Sequence, residues 1–129
     1  MVQEGKSETQ TVEVKSAHLG VPKVRDTLSS FSNQDDGGII LFGLDESEDF
    51  RAVGVFDVQA LQKGITEQCN MIEPTVRAIF SVLEIQKGIY ILVAEIPSVP
   101  FDKRPAYYIP MGRTGGSFIR VGDADKKNV

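Results

Sequence analysis

The 129-residue sequence predicts a single α+β domain, in which two main helices pack against a mostly antiparallel or mixed sheet. Residues 39–42 form an apolar run too continuous for a half-exposed strand, which indicates a buried central strand. Residues 24–31 and 61–72 each repeat apolar side chains at helical spacing. Further apolar runs separated by glycine and proline turns predict hairpins. These three patterns together favour α+β over an all-helical or all-β domain.

The composition excludes several classes of protein. A hydrophobic fraction of 41% and a charged fraction of 25% are ordinary for a globular domain. No stretch approaches the roughly 18 apolar residues of a membrane span, and the N-terminus lacks a signal-peptide hydrophobic region. The one cysteine, Cys69, excludes an internal disulfide framework and favours a cytoplasmic location. The one histidine, His18, argues against zinc sites and Ser-His-Asp triads.

We expect residues 1–7 to be a disordered or tag-like segment, since they show no periodicity. The domain is then expected to cover residues 8–129. Residues 8–15 predict a first strand with one solvent-facing side, because polar and apolar residues alternate near its end. Glu13 falls on the solvent-facing side in this interpretation.

A helix is predicted over residues 22–32, followed by the central strand over residues 38–44 and a short strand over residues 52–55. The last two are expected to form a hairpin. Three glycines are expected to be structural, because glycine permits a positive φ or a close backbone approach: Gly37, Gly38 and Gly43.

The second half of the chain begins with Asp57, a favourable N-cap for a helix running to about residue 71. Residues 76–85 and 89–96 predict a hairpin, and residues 107–110 and 117–121 a last strand pair around a glycine-rich turn. Asp123 or Asp125 could cap a further helix, but the sequence stops before a hydrophobic face develops. This pattern is compatible with a fragment of a longer protein.

Charge is distributed unevenly along the sequence. Residues 1–57 contain 11 acids and 5 bases, whereas residues 103–129 contain 6 bases and 2 acids. The basic residues of the C-terminal part alternate with aromatic residues, which suits phosphate contact and base stacking. The alternative stays open that the aromatic residues belong to the core and that the basic residues are solvated at its rim. The candidate nucleic-acid-binding residues are Lys15, Lys103, Arg104, Tyr107, Arg113 and Arg120.

Several carboxylates fall on or beside strands that could be neighbours: Glu8, Glu13, Asp45 and Glu46. Clustered carboxylates suit Mg²⁺ or Mn²⁺, which could activate water for phosphodiester hydrolysis. The alternative is a set of solvent-facing acids on an acidic domain, and spacing alone favours it. No GxxxxGK or GxGxxG motif supports a nucleotide-binding loop.

In combination, these residues resemble the Schlafen AlbA-like family, also called the divergent AAA family. Short elements carry the resemblance in order from residue 8 to residue 123: Glu8-x4-Glu13-x-Lys15, Phe31-Ser32-Asn33 before Gly37-Gly38, Phe42-Gly43-Leu44-Asp45, Val53-Gly54-Val55, Ile72-x-Pro74, and Arg104-Pro105-x-Tyr107-Tyr108 before Phe118-Ile119-Arg120-Val121-Gly122.

The resemblance implies a DNA-binding module, since most prokaryotic members are described as such in transcriptional regulators or helicase-related proteins. In Schlafen proteins a similar domain is a metal-dependent endoribonuclease acting on structured RNA such as tRNA. By that resemblance Glu8, Glu13 and Glu46 would be the metal ligands, with Asp45 before the last of them. The nuclease pattern has aspartate where this sequence has Glu46. Schlafen nucleases also pair two such lobes, so this chain would need to form a homodimer.

The function expected from the sequence is a nucleic-acid-binding module of a transcriptional regulator, with DNA or structured RNA as partner. One alternative is a Mg²⁺- or Mn²⁺-dependent endoribonuclease, and another is a dimerisation or interaction module. The sequence leaves the existence of an enzymatic activity open.

Overall fold

The computed structural model describes residues 10–128, and within them it contains ten strands and three helices. The strands are β1 (Val12–Lys15), β2 (Gly38–Phe42), β3 (Leu44–Asp45), β4 (Arg51–Ala52), β5 (Ile72–Glu73), β6 (Ile79–Gln86), β7 (Ile89–Ile96), β8 (Tyr107–Tyr108), β9 (Phe118–Val121) and β10 (Ala124–Lys127). The helices are α1 (Arg25–Ser32), α2 (Val58–Cys69) and α3 (Gly112–Gly116). The predicted α+β class is confirmed.

The main sheet has four strands in the order β1-β2-β7-β6. β1 runs parallel to β2, and the other two pairings are antiparallel, so the sheet is mixed. The predicted central strand is confirmed, since β2 lies between β1 and β7 and buries Ile40 and Phe42. The predicted hairpin of β6 and β7 is also confirmed. The hairpin expected after β2 is present in a shorter form, as β3 paired with β4.

Both predicted amphipathic helices are present, and their apolar sides form the core with the sheet. The α2 helix begins at Asp57, whose Oδ1 accepts a hydrogen bond from the Ala60 N–H at 3.0 Å, as predicted. The α1 helix begins at Arg25 rather than residue 22. The preceding backbone is held instead by Gln68, which donates to the Pro22 carbonyl and accepts from the Val24 N–H, both at 2.8 Å. Among residues 10–128, no helix is both long and apolar enough to cross a membrane.

The glycines between α1 and β2 allow the chain to pack closely. Gly37 has a φ of +62°, and a Cβ at this position would overlap the Ile96 carbonyl. A Cβ at Gly38 would overlap the buried Phe31 ring. Gly43, with a φ of +117°, ends β2 in a backbone conformation that favours glycine. A side chain at any of these three glycines would therefore disturb the position of the central strand.

The C-terminal segment differs from the prediction. Strand β8 pairs mainly with β5, and the expected pairing of residues 107–110 with residues 117–121 is present only as a single antiparallel bridge between Tyr107 and Ser117. The glycine-rich turn forms α3. Strand β9 pairs instead with β10, where the sequence suggested a capped helix. The prediction relied on hydrophobic patterning, but β10 is polar and is held by hydrogen bonds to α1.

Candidate nucleic-acid interface

Basic and aromatic side chains come together around β8 and the loop before it. We define the basic–aromatic surface as Phe101, Lys103, Arg104, Tyr107 and Arg113. Lys103, Tyr107 and Arg113 line one open cavity, so three of the predicted binding residues are neighbours. Acidic residues Glu73 and Asp102 line it as well. The surface is therefore of mixed charge, with two exposed cations.

Each aromatic ring of this surface lies next to the guanidinium group of an arginine side chain. The Arg113 guanidinium carbon lies 5.8 Å from the centre of the Tyr107 ring, and that of Arg104 lies 5.5 Å from the centre of the Phe101 ring. Phe101 is 82% exposed, which is unusual for a large apolar side chain. Exposed rings beside cations can stack on bases while the cations meet phosphates.

Arg104 is fixed in place by its neighbours. Its Nε donates to the Val99 carbonyl at 2.8 Å, and its Nη2 lies 3.0 Å from Oδ1 of the exposed Asp35. The Arg104 side chain is only 15% exposed. Its position against Phe101 is therefore pre-organised, while Lys103 and Arg113 are the more accessible cations.

Arg120 lies in the interior rather than on this surface. Its guanidinium forms ion pairs with Glu13 at 2.8 Å and Asp125 at 3.0 Å, donates to the Val12 carbonyl at 3.1 Å, and lies 5.0 Å from the centre of the Phe31 ring. Its side chain has 0% exposure. The expectation that Arg120 contacts phosphate is inconsistent with this burial.

The charge of Arg120 is maintained by its partners. Burial alone lowers the pKa of a guanidinium, but hydrogen bonds and charge from Asp125 and Glu13 outweigh it and raise the pKa of Arg120. We define the buried ion cluster as Arg120, Glu13 and Asp125. It joins β1 to β9 and β10, so it links the first and last strands of the described chain.

Glu13 therefore does not face solvent, and the expected solvent-facing side of β1 is wrong at this position. It lies opposite Ile40 on β2, whose side chain is fully buried. Its second oxygen lies 3.3 Å from the Lys15 ammonium, which is 31% exposed. Lys15 therefore pairs with Glu13 on β1, and it does not line the cavity formed by Lys103, Tyr107 and Arg113.

The predicted carboxylate cluster is not assembled among the described residues. Within residues 10–128, no group of three His, Cys, Asp or Glu side chains is placed to hold a metal ion. Asp45 caps a short 3₁₀ turn by accepting hydrogen bonds from the Ser47 N–H at 3.0 Å and its hydroxyl at 2.7 Å. Glu46 is exposed. Glu8 lies outside the described residues.

The sequence interpretation missed the polar side of α1. Thr27 and Ser30 donate to the Asp125 carboxylate at 2.7 and 2.6 Å, and both are buried. The Asn33 amide donates to the Phe118 carbonyl at 2.9 Å and accepts from the Ala106 N–H at 2.6 Å. The detectable signal was a run of hydroxyl residues in α1, which predicts partners for buried polar groups.

Comparison with known proteins shows the family of the chain and agrees with its fold. The family model described as Schlafen, AlbA_2 matches residues 8–128. The chain is similar to the N-terminal domain of an ATP-dependent DNA helicase RecG-related protein from Nitrosomonas europaea, with 26% identity and a TM-score of 0.69, over 99% of this chain and 89% of that one. The DIP2311 protein from Corynebacterium diphtheriae matches with 17% identity and a TM-score of 0.59, over 92% of this chain and 22% of that one, and shows the fold alone. No curated protein matches the sequence.

Proposed function

Because this chain belongs to the Schlafen AlbA_2 family, we propose that it is a nucleic-acid-binding module. The observation that carries this proposal is the basic–aromatic surface, where Lys103, Tyr107 and Arg113 line one cavity. Lysine and arginine contact phosphates, and exposed aromatic rings stack on bases. The name of the Nitrosomonas europaea protein refers to a DNA helicase, which supports DNA as the partner.

The proposal extends to the setting in which the module acts. We propose that it serves in a larger DNA-associated protein such as a transcriptional regulator, and that it acts in the cytoplasm, where its single cysteine stays reduced. The chain carries a net charge of −4, so non-specific coating of nucleic acid is disfavoured. Binding is expected to depend on the local surface.

The test is fluorescence polarisation with labelled duplex DNA, single-stranded DNA and tRNA, at several salt concentrations from about 50 to 200 mM. Lys103→Ala and Arg113→Ala should each weaken binding and reduce the slope of log K against log salt by about one. Lys63→Ala is the matched control, since Lys63 is exposed on α2 and does not line this cavity. Absence of binding at about 50 mM salt, or equal effects in all three variants, would overturn the proposal.

A second measurement reports on base stacking. The sequence contains no tryptophan, so Phe101→Trp introduces a single indole fluorophore into the basic–aromatic surface. Stacking on a base should quench its fluorescence, and unpaired bases should quench more than duplex DNA does. Leu19→Trp is the control, because Leu19 is 92% exposed in a loop outside this surface. Equal quenching at both positions would exclude stacking on residue 101.

A further inference from the structure

Strand β6 forms an open edge of the main sheet. It pairs with β7 on one side, and no strand of residues 10–128 pairs with its other side. Its side chains are apolar on both faces of the sheet, and Ile79, Val82 and Leu83 are 59%, 46% and 50% exposed. An exposed, apolar edge strand presents unpaired backbone groups that can pair with another strand.

This edge lacks most of the usual protection against pairing. The eight residues of β6 contain no proline, and Glu84 is their one charged residue. A register shift between Glu84 and Gln86 leaves residues 79–84 as the regular segment. The opposite edge of the sheet differs, since Arg120 contacts the Val12 carbonyl of β1. Among residues 10–128, a side chain therefore contacts the backbone of the β1 edge, whereas no strand pairs with the outer side of β6.

We propose that β6 pairs antiparallel with β6 of a second copy of this chain, around a twofold axis that passes midway between the two copies of Ser81. A twofold axis perpendicular to the sheet brings a strand against itself in the antiparallel direction, with equivalent contacts on both copies. Centred on Ser81, it places Ile79 opposite Leu83 on one face and Phe80 opposite Val82 on the other. Each apolar residue of the regular segment then meets an apolar residue.

The charge and size of the side chains favour this register. The small Ser81 meets its own copy on the axis, where two hydroxyl groups can form a hydrogen bond. Glu84 falls opposite Ala78, away from the other Glu84. A centre at Glu84 would instead oppose two carboxylates directly, which is destabilising. This self-complementarity is required for pairing with a second copy and is not required for pairing with an unrelated strand.

The consequence is a continuous sheet across two copies, with the helices of both on the same side. This pairing is independent of nucleic-acid binding, since β6 is not part of the basic–aromatic surface.

Disulfide trapping tests the register directly. Opposed residues of antiparallel strands have Cα atoms about 4.5–5.5 Å apart, within the range of about 4.4–6.8 Å that a disulfide needs. Ser81→Cys should therefore form a covalent dimer under mild oxidation, seen by non-reducing electrophoresis and mass spectrometry. Leu19→Cys is the exposed control, and the native Cys69 is buried. Cross-linking of Ser81→Cys no faster than that of Leu19→Cys would overturn the proposed register.

Sedimentation equilibrium tests the association itself. Between about 10 µM and 1 mM, the apparent mass of the wild-type chain should rise from 14.2 kDa towards twice that value. Ser81→Lys and Ser81→Glu should each remain monomeric, because each places like charges on the axis, and their equimolar mixture should associate again. A wild-type chain that stays monomeric over the whole range, or a mixture that fails to associate, would overturn the proposal.

Discussion

The buried ion cluster gives the sharpest test of how this fold is held together. Arg120→Met removes the guanidinium while keeping much of the side-chain volume. Glu13 and Asp125 are then left with side chains only 10% and 14% exposed and without their shared cation. The variant should be strongly destabilised, because both carboxylates lose their strongest charge partner in a place with little access to water.

The size of the effect follows from the burial. Removing one partner of a buried ion pair costs about 3–5 kcal/mol, against a total free energy of unfolding of roughly 5–15 kcal/mol for a single domain. For a chain of this length, that loss corresponds to a fall in Tm of about 10–20 °C. Urea denaturation followed by circular dichroism measures the free energy, and a thermal scan measures the Tm.

A matched arginine provides the control. Arg51 lies 2.7 Å from Glu48, but both side chains are more than half exposed, so Arg51→Met should cost at most about 1 kcal/mol. Adding Glu13→Gln to Arg120→Met should recover part of the loss, since it removes a largely buried charge that keeps only its contact with the partly exposed Lys15. The reasoning is refuted if Arg120→Met and Arg51→Met lower the free energy of unfolding by the same small amount.

Three further predictions concern other residues of the fold. Burial raises the pKa of Cys69 to about 11, so a thiol reagent at pH 8 should modify the native chain far more slowly than the urea-unfolded chain. Burial, together with the charge of Asp125, raises the pKa of Asp26 despite the opposing charge of Arg25, so its protonated form favours folding at low pH and this contribution is lost as pH rises through the folded pKa. Asp26→Asn should therefore gain stability relative to wild type between acidic pH and pH 7, measured by urea denaturation at both. Gly37→Ala should destabilise by about 2 kcal/mol or more, because φ is +62° and a Cβ would meet backbone, whereas Gly20→Ala, with nothing within 4 Å, should change little.

Short-range sequence patterns were sufficient to predict those elements whose signals lie within a few residues of one another. The N-cap at Asp57, the β6–β7 hairpin and the central strand each follow from short-range rules, and each is present. Strand β10 was not predictable in this way, because its contacts lie about 95 residues away in α1. A polar strand held by buried hydroxyl groups leaves no hydrophobic period to detect.

The candidate site shows the same division between local and distant information. Lys103, Tyr107 and Arg113 are near one another in sequence, and the structure brings them to one cavity. Arg120 follows them closely in sequence, yet its partner Glu13 comes from the other end of the domain. Charge alone could not distinguish an interface arginine from a buried one, because the distinction depends on a partner 107 positions earlier.

Glu13 is also where the binding and nuclease hypotheses separate physically. Its two carboxylate oxygens contact the Arg120 guanidinium at 2.8 Å and the Lys15 ammonium at 3.3 Å. A divalent cation on the same carboxylate would lie close to two positive charges, which repel it. Ligation by Glu13 would therefore require these contacts to be given up, and with them part of the stability of the domain. For the same reason, lost cleavage in Glu13→Ala would not separate catalysis from unfolding.

Glu46 provides the cleaner test, since it is exposed and lies outside the buried ion cluster. If it is a metal ligand, Glu46→Gln should abolish Mn²⁺-dependent cleavage of tRNA while the Tm stays at the wild-type value. If the domain only binds nucleic acid, the same substitution should leave polarisation titrations with tRNA unchanged, with and without Mn²⁺. A metal-dependent cleavage that survives Glu46→Gln would remove this residue from the nuclease hypothesis. Both carboxylate oxygens of Glu13 already contact cations, and this arrangement disfavours metal ligation by Glu13.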